Sequence, residues 1–190
     1  MYRNALLLLI LLPLFAIAQN KKSSAPMKFQ TSIGAGLLVG HSESSVNWQL
    51  VNGFKINNWF GGIGAGVDYY RYRTVPLFLS ARRERLFHSN FFAFADAGLA
   101  IPAVRDNQRK EFVVRDKYYP GFYSETGIGW AIPANKKLSV RVSLGYSFRT
   151  VREEAEFPSF RSWWPSPNTE IEYRYKFQLL TLKTTVSLGG

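Results

Sequence analysis

The first of only two histidines in the 190 residues is the side chain best placed to support acid–base chemistry. His41 is followed by Ser42 and Glu43, which are the residue types of a serine hydrolase, where a histidine oriented by an acid activates a hydroxyl nucleophile. Neighbouring residues at a strand end point to opposite sides, so these three side chains cannot all face one another. A lipid hydrolase or acyltransferase that uses His41 is therefore an alternative that needs a further serine or acid from elsewhere.

The composition excludes several other kinds of site. The chain has no cysteine, so it forms no disulfide and offers no thiolate to zinc or to nucleophilic catalysis. Its sequence contains no metal-ligand spacing, phosphate-binding loop or dinucleotide fingerprint. Gly62, Gly64 and Gly66 resemble a glycine-rich loop only in composition, because they alternate along a predicted strand with no helix after it. We therefore expect a protein that is not an enzyme and that binds no cofactor and no metal.

Isolated charged residues recur where the sequence otherwise places small or polar side chains. They occupy one face of segments in which every second residue is apolar. Such charges can pair with one another only if the segments enclose a narrow interior that brings them together. The residues of this expected charge network are Lys55, Asp68, Arg82, Glu84, Asp96, Glu125, Arg141 and Lys183.

The segments that must position these charges are predicted to be eight β-strands. Alternation with a period of two predicts a strand with two chemically different faces, and the clearest case sets Val140, Val142 and Leu144 against Arg141 and Ser143. In the last segment the tyrosine-rich first half is out of phase with the second half, which predicts a bulge near residues 177–180. The eight predicted strands cover roughly residues 28–41, 46–57, 59–72, 75–87, 91–103, 121–131, 139–149 and 171–188.

The connections between these strands alternate in length. Tight polar turns are predicted at residues 57–58, 88–90 and 134–136, and most of the other links are longer, which is typical of outer-membrane barrels. An eight-stranded barrel has an interior just wide enough for side chains to fill, and the polar face is rich in glycine, alanine and serine. We predict an all-β, eight-stranded antiparallel up-and-down transmembrane β-barrel whose apolar face meets lipid. A soluble lipocalin-like barrel with the apolar face inside is the alternative.

Aromatic residues cluster toward the ends of the predicted strands. In membrane proteins, aromatic side chains concentrate at the two membrane–water interfaces. The positions predict one girdle near the short turns, with Trp59, Phe60, Phe87, Phe91 and Trp130, and a second near the longer links, with Tyr69, Tyr70, Tyr72, Tyr118, Tyr119, Phe122, Tyr146 and Phe148.

Three stretches, residues 59–70 (WFGGIGAGVDYY), 75–79 (VPLFL) and 92–98 (FAFADAG), carry a family resemblance. They look like the small outer-membrane β-barrel domain common in Bacteroidetes, itself similar to OmpA- and OmpX-type barrels. The resemblance covers essentially the whole of the chain after its N-terminal segment. It implies an eight-stranded barrel inserted by the outer-membrane assembly machinery, and it implies no single activity.

The N-terminal segment predicts export. Arg3 precedes an apolar run over residues 5–15, and Ala16, Ile17 and Ala18 form a small-x-small cleavage site, which together are typical of a cleaved signal peptide. We predict a signal peptide over residues 1–18, a flexible leader over 19–27 and the barrel domain over 28–190. The expected location is the cell outer membrane. The net charge of +11 then favours anionic lipid head groups over nucleic acid as partners.

The two longest predicted loops carry the remaining candidates for function. One is rich in basic residues and the other in exposed aromatic residues, so we expect contacts with lipopolysaccharide phosphates or with a protein partner. A structural or surface-interaction role through these loops is the function that the sequence favours, and a small pore is a further alternative. The candidate contact residues are Arg105, Arg109, Lys110, Arg115, Lys117, Trp163 and Trp164.

Overall fold

The computed structural model describes residues 26–41, 43–86, 89–103, 115–135, 137–157 and 169–189. These residues form nine β-strand segments: β1 (Lys28–Val39), β2 (Ser44–Ile56), β3 (Trp59–Asp68), β4 (Thr74–Leu86), β5 (Phe91–Pro102), β6 (Arg115–Tyr119), β7 (Gly121–Pro133), β8 (Leu138–Phe157) and β9 (Thr169–Leu188). Within the described ranges, no helix is long and apolar enough to cross a membrane.

The strands close into an antiparallel barrel with eight positions around the ring. We call the strand or strands at one position a stave. From β1 to β5 consecutive strands pair, β5 pairs with β7 and β7 with β8, and β9 pairs with both β8 and β1, which closes the ring. Segments β6 and β7 are one stave, because both pair with β8 and only Pro120 separates them. The pairing passes from Tyr119↔Arg152 to Tyr123↔Arg149, which places one extra residue on the stave that contains the proline. Proline has no N–H to donate to the ladder, so a break at this position is expected.

The two faces of the barrel have the chemistry that the alternation predicts. On β8, Val142 and Leu144 are 40% and 58% exposed on the outside, whereas Arg141 and Ser143 between them are buried at 4% and 7%. The same parity continues around the ring, where large apolar side chains project outward from β1 to β9. The prediction of an eight-stranded barrel with apolar residues outside is therefore confirmed, and the lipocalin-like alternative is wrong.

Strands β8 and β9 extend well beyond the other staves. Each has 20 residues, and β9 pairs with β1 only over Leu180–Leu188, so residues 169–179 of β9 pair with β8 alone among the described strands. We call β6 together with residues 150–157 of β8 and 169–179 of β9 the loop-end extension. The bulge predicted near residues 177–180 is wrong, because β8 and β9 stay in one register from Leu138↔Leu188 to Phe157↔Thr169.

The change of phase in β9 is a change of chemistry on an unbroken strand. From Leu188 to Leu180 the outward residues are mostly apolar, and from Gln178 to Glu172 they are polar or charged. The inward residues change in the opposite sense, from Thr181 and Lys183 to aromatic side chains. Where the extension begins, the outward face of β9 therefore changes from apolar to polar and its inward face changes from polar to aromatic.

Candidate functional site

Three charged side chains meet inside the barrel near its short-turn end. The carboxylate of Glu84 on β4 accepts hydrogen bonds from Lys55 on β2 and from Nη2 of Arg141 on β8, the latter at 2.6 Å. The other amino group of Arg141 donates to the hydroxyl of Ser187, and the amide of Gln30, oriented with its oxygen toward the guanidinium, accepts from both Nη atoms at 2.8 Å. Pairing and hydrogen bonding offset the cost of burying these charges, and the cluster joins β2, β4 and β8 across the interior.

A second cluster lies farther along the barrel axis. The ammonium of Lys183 is 2.6 Å from Oε1 of Glu125 and donates to Oε1 of Gln49 at 2.8 Å. The hydroxyls of Tyr123 and Thr181 donate to the two oxygens of Glu125 at 2.8 and 2.9 Å. Gln49 in turn donates to the Tyr123 hydroxyl at 3.1 Å, which completes a ring of hydrogen bonds between β2, β7 and β9.

Arg82 and Asp96 lie between these two clusters. The guanidinium carbon of Arg82 is 4.9 Å from the ring centre of Phe60 and 5.6 Å from that of Phe92, which are cation–π distances. Both charged residues are buried, and both line a small pocket of about 30 Å³ together with Ser80. A pocket of this volume accommodates one or two water molecules.

Asp68 pairs with a residue outside the predicted network. Its partner is Arg149 on β8, and its other oxygen accepts a hydrogen bond from the backbone N–H of Tyr70 at 2.8 Å. Arg149 follows Arg141 on the same strand with the same inward parity, so the alternation contained the signal that would have found it. All eight residues of the predicted network have side chains that face the interior, and Lys55 is the most exposed of them.

Aromatic side chains fill the interior at the loop end. Ring centres lie 5.6 Å apart between Tyr72 and Tyr175 and 5.7 Å apart between Tyr70 and Phe177. Burial and hydrogen bonds to Tyr72 and Glu153 raise the pKa of Tyr175, whose hydroxyl donates to Glu153 at 2.8 Å. We call this group the aromatic cluster; it comprises Leu38, Tyr70, Tyr72, Tyr118, Val151, Tyr175, Phe177 and Leu179.

The aromatic cluster corrects part of the predicted girdles. Trp59, Trp130 and Phe91 are exposed near the short turns, and Tyr69, Phe122 and Tyr146 are exposed nearer the loop end. Four other residues assigned to the girdles instead contribute to the interior, because they lie at inward-facing positions of their strands or connections: Phe60, Tyr70, Tyr72 and Tyr118. Phe87 lies outside the described residues.

The outer face of the loop-end extension is charged. Arg152 and Arg174 each form an ion pair at 2.6 Å, with Glu154 and Glu172 respectively. The hydroxyl of Tyr119 donates to Glu154 at 2.7 Å. This hydrogen bond, with the nearby Arg152 guanidinium, holds the pKa of the Glu154 carboxyl below its ordinary value. Charged side chains at this height indicate that the outer face of the extension is in water.

The predicted loop contacts are only partly within the described residues. Lys117 is exposed on β6, and Arg115 begins that strand. His41 is exposed in the connection between β1 and β2, and its neighbour Ser42 lies outside the described residues. Within the described part of the chain, no three potential metal ligands cluster. The remaining candidates also lie outside it: Arg105, Arg109, Lys110, Trp163 and Trp164.

Comparisons with known proteins add to this geometry. No family model matches the chain, and no curated protein matches it either. The solid-state NMR structure of the outer membrane protein AlkL in DMPC bilayers has a TM-score of 0.50 at 7% identity, covering 86% of this chain and 89% of AlkL. Crystal structures of OprG from Pseudomonas aeruginosa and of Neisserial surface protein A give TM-scores of 0.49 and 0.46, at 11% and 13% identity. They cover 87% and 85% of this chain and 96% of each neighbour.

The protein is a transmembrane β-barrel. Its outward apolar residues on β9 run from Leu180 to Leu188, which is nine residues and matches the roughly 9–11 that a tilted strand needs to cross a bilayer. Lipid offers no hydrogen-bond partner to the backbone. In the closed ring, the backbone of each strand is hydrogen-bonded to the strands on either side. The barrel thus has three layers along its axis: a polar mouth at the short turns, an ion-paired interior within the lipid and an aromatic cluster at the loop end.

Proposed function

We propose that this barrel resides in the cell outer membrane and has a non-enzymatic structural or surface-interaction role, carried by its loop end. The observation that carries the proposal is the exchange of polarity between the lipid-facing wall and the loop-end extension. AlkL is an outer membrane protein of the same fold, which supports the location. Short turns then face the periplasm and the extension faces outward, as in other barrels of this kind.

In this proposal the interior is a plug and not a channel. Oppositely charged side chains are bonded to one another across the lumen in the clusters of Glu84 and Glu125. The aromatic cluster covers the loop end of the same interior. A small pore is the alternative, and planar-bilayer recording of the refolded protein discriminates between them: we expect no unit conductance, and a stable open level would refute the plug.

The extension offers a basic surface directly above the lipid-facing wall. Lys117, Arg174 and Lys176 are exposed there, and in this proposal they meet the phosphates of the lipopolysaccharide head groups. We propose lipopolysaccharide as the lipid partner of this surface, a protein as the partner of the two long loops, and the outer-membrane assembly machinery as the route of insertion. Membership of the small-barrel family of Bacteroidetes is part of the same proposal.

Fractionation with gel migration tests the location. The protein should sediment with outer membranes, and it should migrate faster in SDS without boiling than after boiling, because a folded barrel resists SDS. Recovery in the periplasmic fraction with migration unaffected by boiling would refute the proposal. The enzymatic alternative is tested by His41→Ala: overexpression of either form should leave lipid A unchanged, and an altered lipid A profile with the wild type alone would revive it.

The lipid contact is tested by thermal stability in detergent. Added lipopolysaccharide should raise the temperature at which the wild type loses its fast-migrating form, and the variant Lys117→Gln/Lys176→Gln should lose most of that increase. Lys28→Gln is the matched control, because Lys28 is exposed at the opposite end of the barrel. An equal increase in all three proteins would contradict the contact.

A further inference from the structure

A cationic pocket opens at the short-turn end of the barrel interior. Its volume is about 330 Å³, which is within the lower range of small-molecule sites. Among the described residues, five that are cationic and one carboxylate line it, for a net charge of +4: Lys28, Lys55, Arg85, Lys137 and Arg141, with Glu84. The ion-paired interior is close to neutral by comparison, so positive charge is concentrated at this mouth.

The carboxylate in this lining is already engaged. Glu84 accepts hydrogen bonds from both Lys55 and Arg141, so it leaves Lys28, Arg85 and Lys137 without compensation from within the pocket lining. Charges around a pocket of this size lie close to one Debye length, about 8 Å at physiological ionic strength, so salt screens their repulsion only in part. A bound anion would offset this repulsion.

The backbone of β4 is irregular at Arg85, next to the pocket. Arg83 points outward, where its guanidinium carbon lies 5.0 Å from the ring centre of Trp59. Strict alternation would place Arg85 on the same outer face, and Arg85 is exposed, yet it is among the residues that line the mouth of this pocket. The register of β4 against β5 shifts between Arg83 and Leu86, and Arg85 has a φ of 55°. Bulges at barrel rims re-aim side chains, and a left-handed arginine carries a conformational cost.

We propose that this pocket binds a small soluble anion that carries two or more phosphate groups. One phosphate group carries a charge of about −1.5 to −2 at neutral pH, so two are needed to match a net charge of +4. The pocket lies inside the ring of strands, whereas lipid head groups surround the ring on the outside, where Arg83 and Trp59 are placed to meet them. This geometry favours a soluble ligand over a lipid. The pocket's orientation toward the periplasm rests on the proposed location, and its binding of an anion does not.

Titration of the refolded full chain in uncharged detergent, with pyrophosphate at constant ionic strength, tests the proposal. We expect saturable binding with one site per chain, and at least a tenfold weaker affinity in Arg85→Gln/Lys137→Gln. Both residues are exposed and lie outside the buried ion pairs, so the variant should keep its heat-modifiable migration. Arg83→Gln is the matched control on the same strand and should bind as the wild type does.

Three results would overturn the proposal: no saturable binding, unchanged affinity in Arg85→Gln/Lys137→Gln, or an equal loss in Arg83→Gln. Phosphatidylglycerol added to the micelles distinguishes the source of the phosphate. If it competes with pyrophosphate in the wild type, a lipid head group occupies the pocket and the assignment of a soluble ligand is wrong. The titration does not depend on where the protein resides, so failure of the outer-membrane location would leave its result intact.

Discussion

Breaking the ion pair between Lys183 and Glu125 should destabilise the barrel strongly, and removing both charges should recover much of the loss. The two side chains are 6% and 0% exposed, and their charged atoms are 2.6 Å apart. The variants are Glu125→Gln, Lys183→Met and the double substitution. Glutamine keeps the shape of the carboxylate and removes its charge, and methionine keeps most of the apolar stem of the lysine.

The magnitude follows from burial. Removing one partner of a buried pair leaves an uncompensated charge and costs about 3–5 kcal/mol, whereas replacing both can be nearly neutral. Gln49 still accepts from Lys183 when Glu125 is changed, which places Glu125→Gln at the lower end, about 3 kcal/mol. Lys183→Met leaves Glu125 charged with two hydroxyl donors only, and we expect about 4 kcal/mol. The double variant should lose less than the sum by at least about 2 kcal/mol.

Urea unfolding in lipid vesicles, followed by tryptophan fluorescence, measures these free energies. Glu172→Gln is the control, because Glu172 pairs with Arg174 on the exposed face of the extension and should cost less than about 1 kcal/mol. If Glu125→Gln costs no more than Glu172→Gln, or if the two interior substitutions are additive, the interior ion pair does not hold the staves together and the reasoning fails.

Three further perturbations address the wall, the lumen and the extension. Ile63→Lys places a charge on the lipid face and should cost about 2–4 kcal/mol in the same urea assay if the residue lies near the bilayer centre. Gly64→Ala should lower folding yield, because its Cβ would lie 2.5 Å from a buried aromatic ring, whereas Gly61→Ala meets nothing within 4 Å and should fold normally. Tyr119→Phe should raise the pKa of Glu154 toward its ordinary value, measured by NMR titration, because the lowered pKa depends first on the tyrosine hydroxyl; an unchanged pKa would contradict that cause.

The placement of the charges could be predicted from sequence because a strand has a period of two. Parity alone determines which residues share the interior, and it is insensitive to errors of a few residues in the strand ends. Parity does not say which interior charge meets which, since that depends on the stagger of strands that are distant in sequence. Glu84 and Arg141 are 57 positions apart, and Asp68 meets Arg149 across the lumen. The sequence pattern therefore cannot predict which interior charges pair. It does predict the inward position of Arg149, which the expected network omits.

The error at β9 has a different physical origin, and it marks the edge of the membrane. The predicted bulge assumes that apolar side chains always face outward, and on that assumption the inward positions of Tyr175 and Phe177 require a slipped strand. A stave that leaves the bilayer meets water outside, and its favourable pattern then inverts without any change of register. Arg174 and Lys176 face outward, as Leu180 and Leu182 do six residues farther along the same strand. Phase reversal on an unbroken strand is thus the sequence signal for the membrane boundary, and it places that boundary near Gln178.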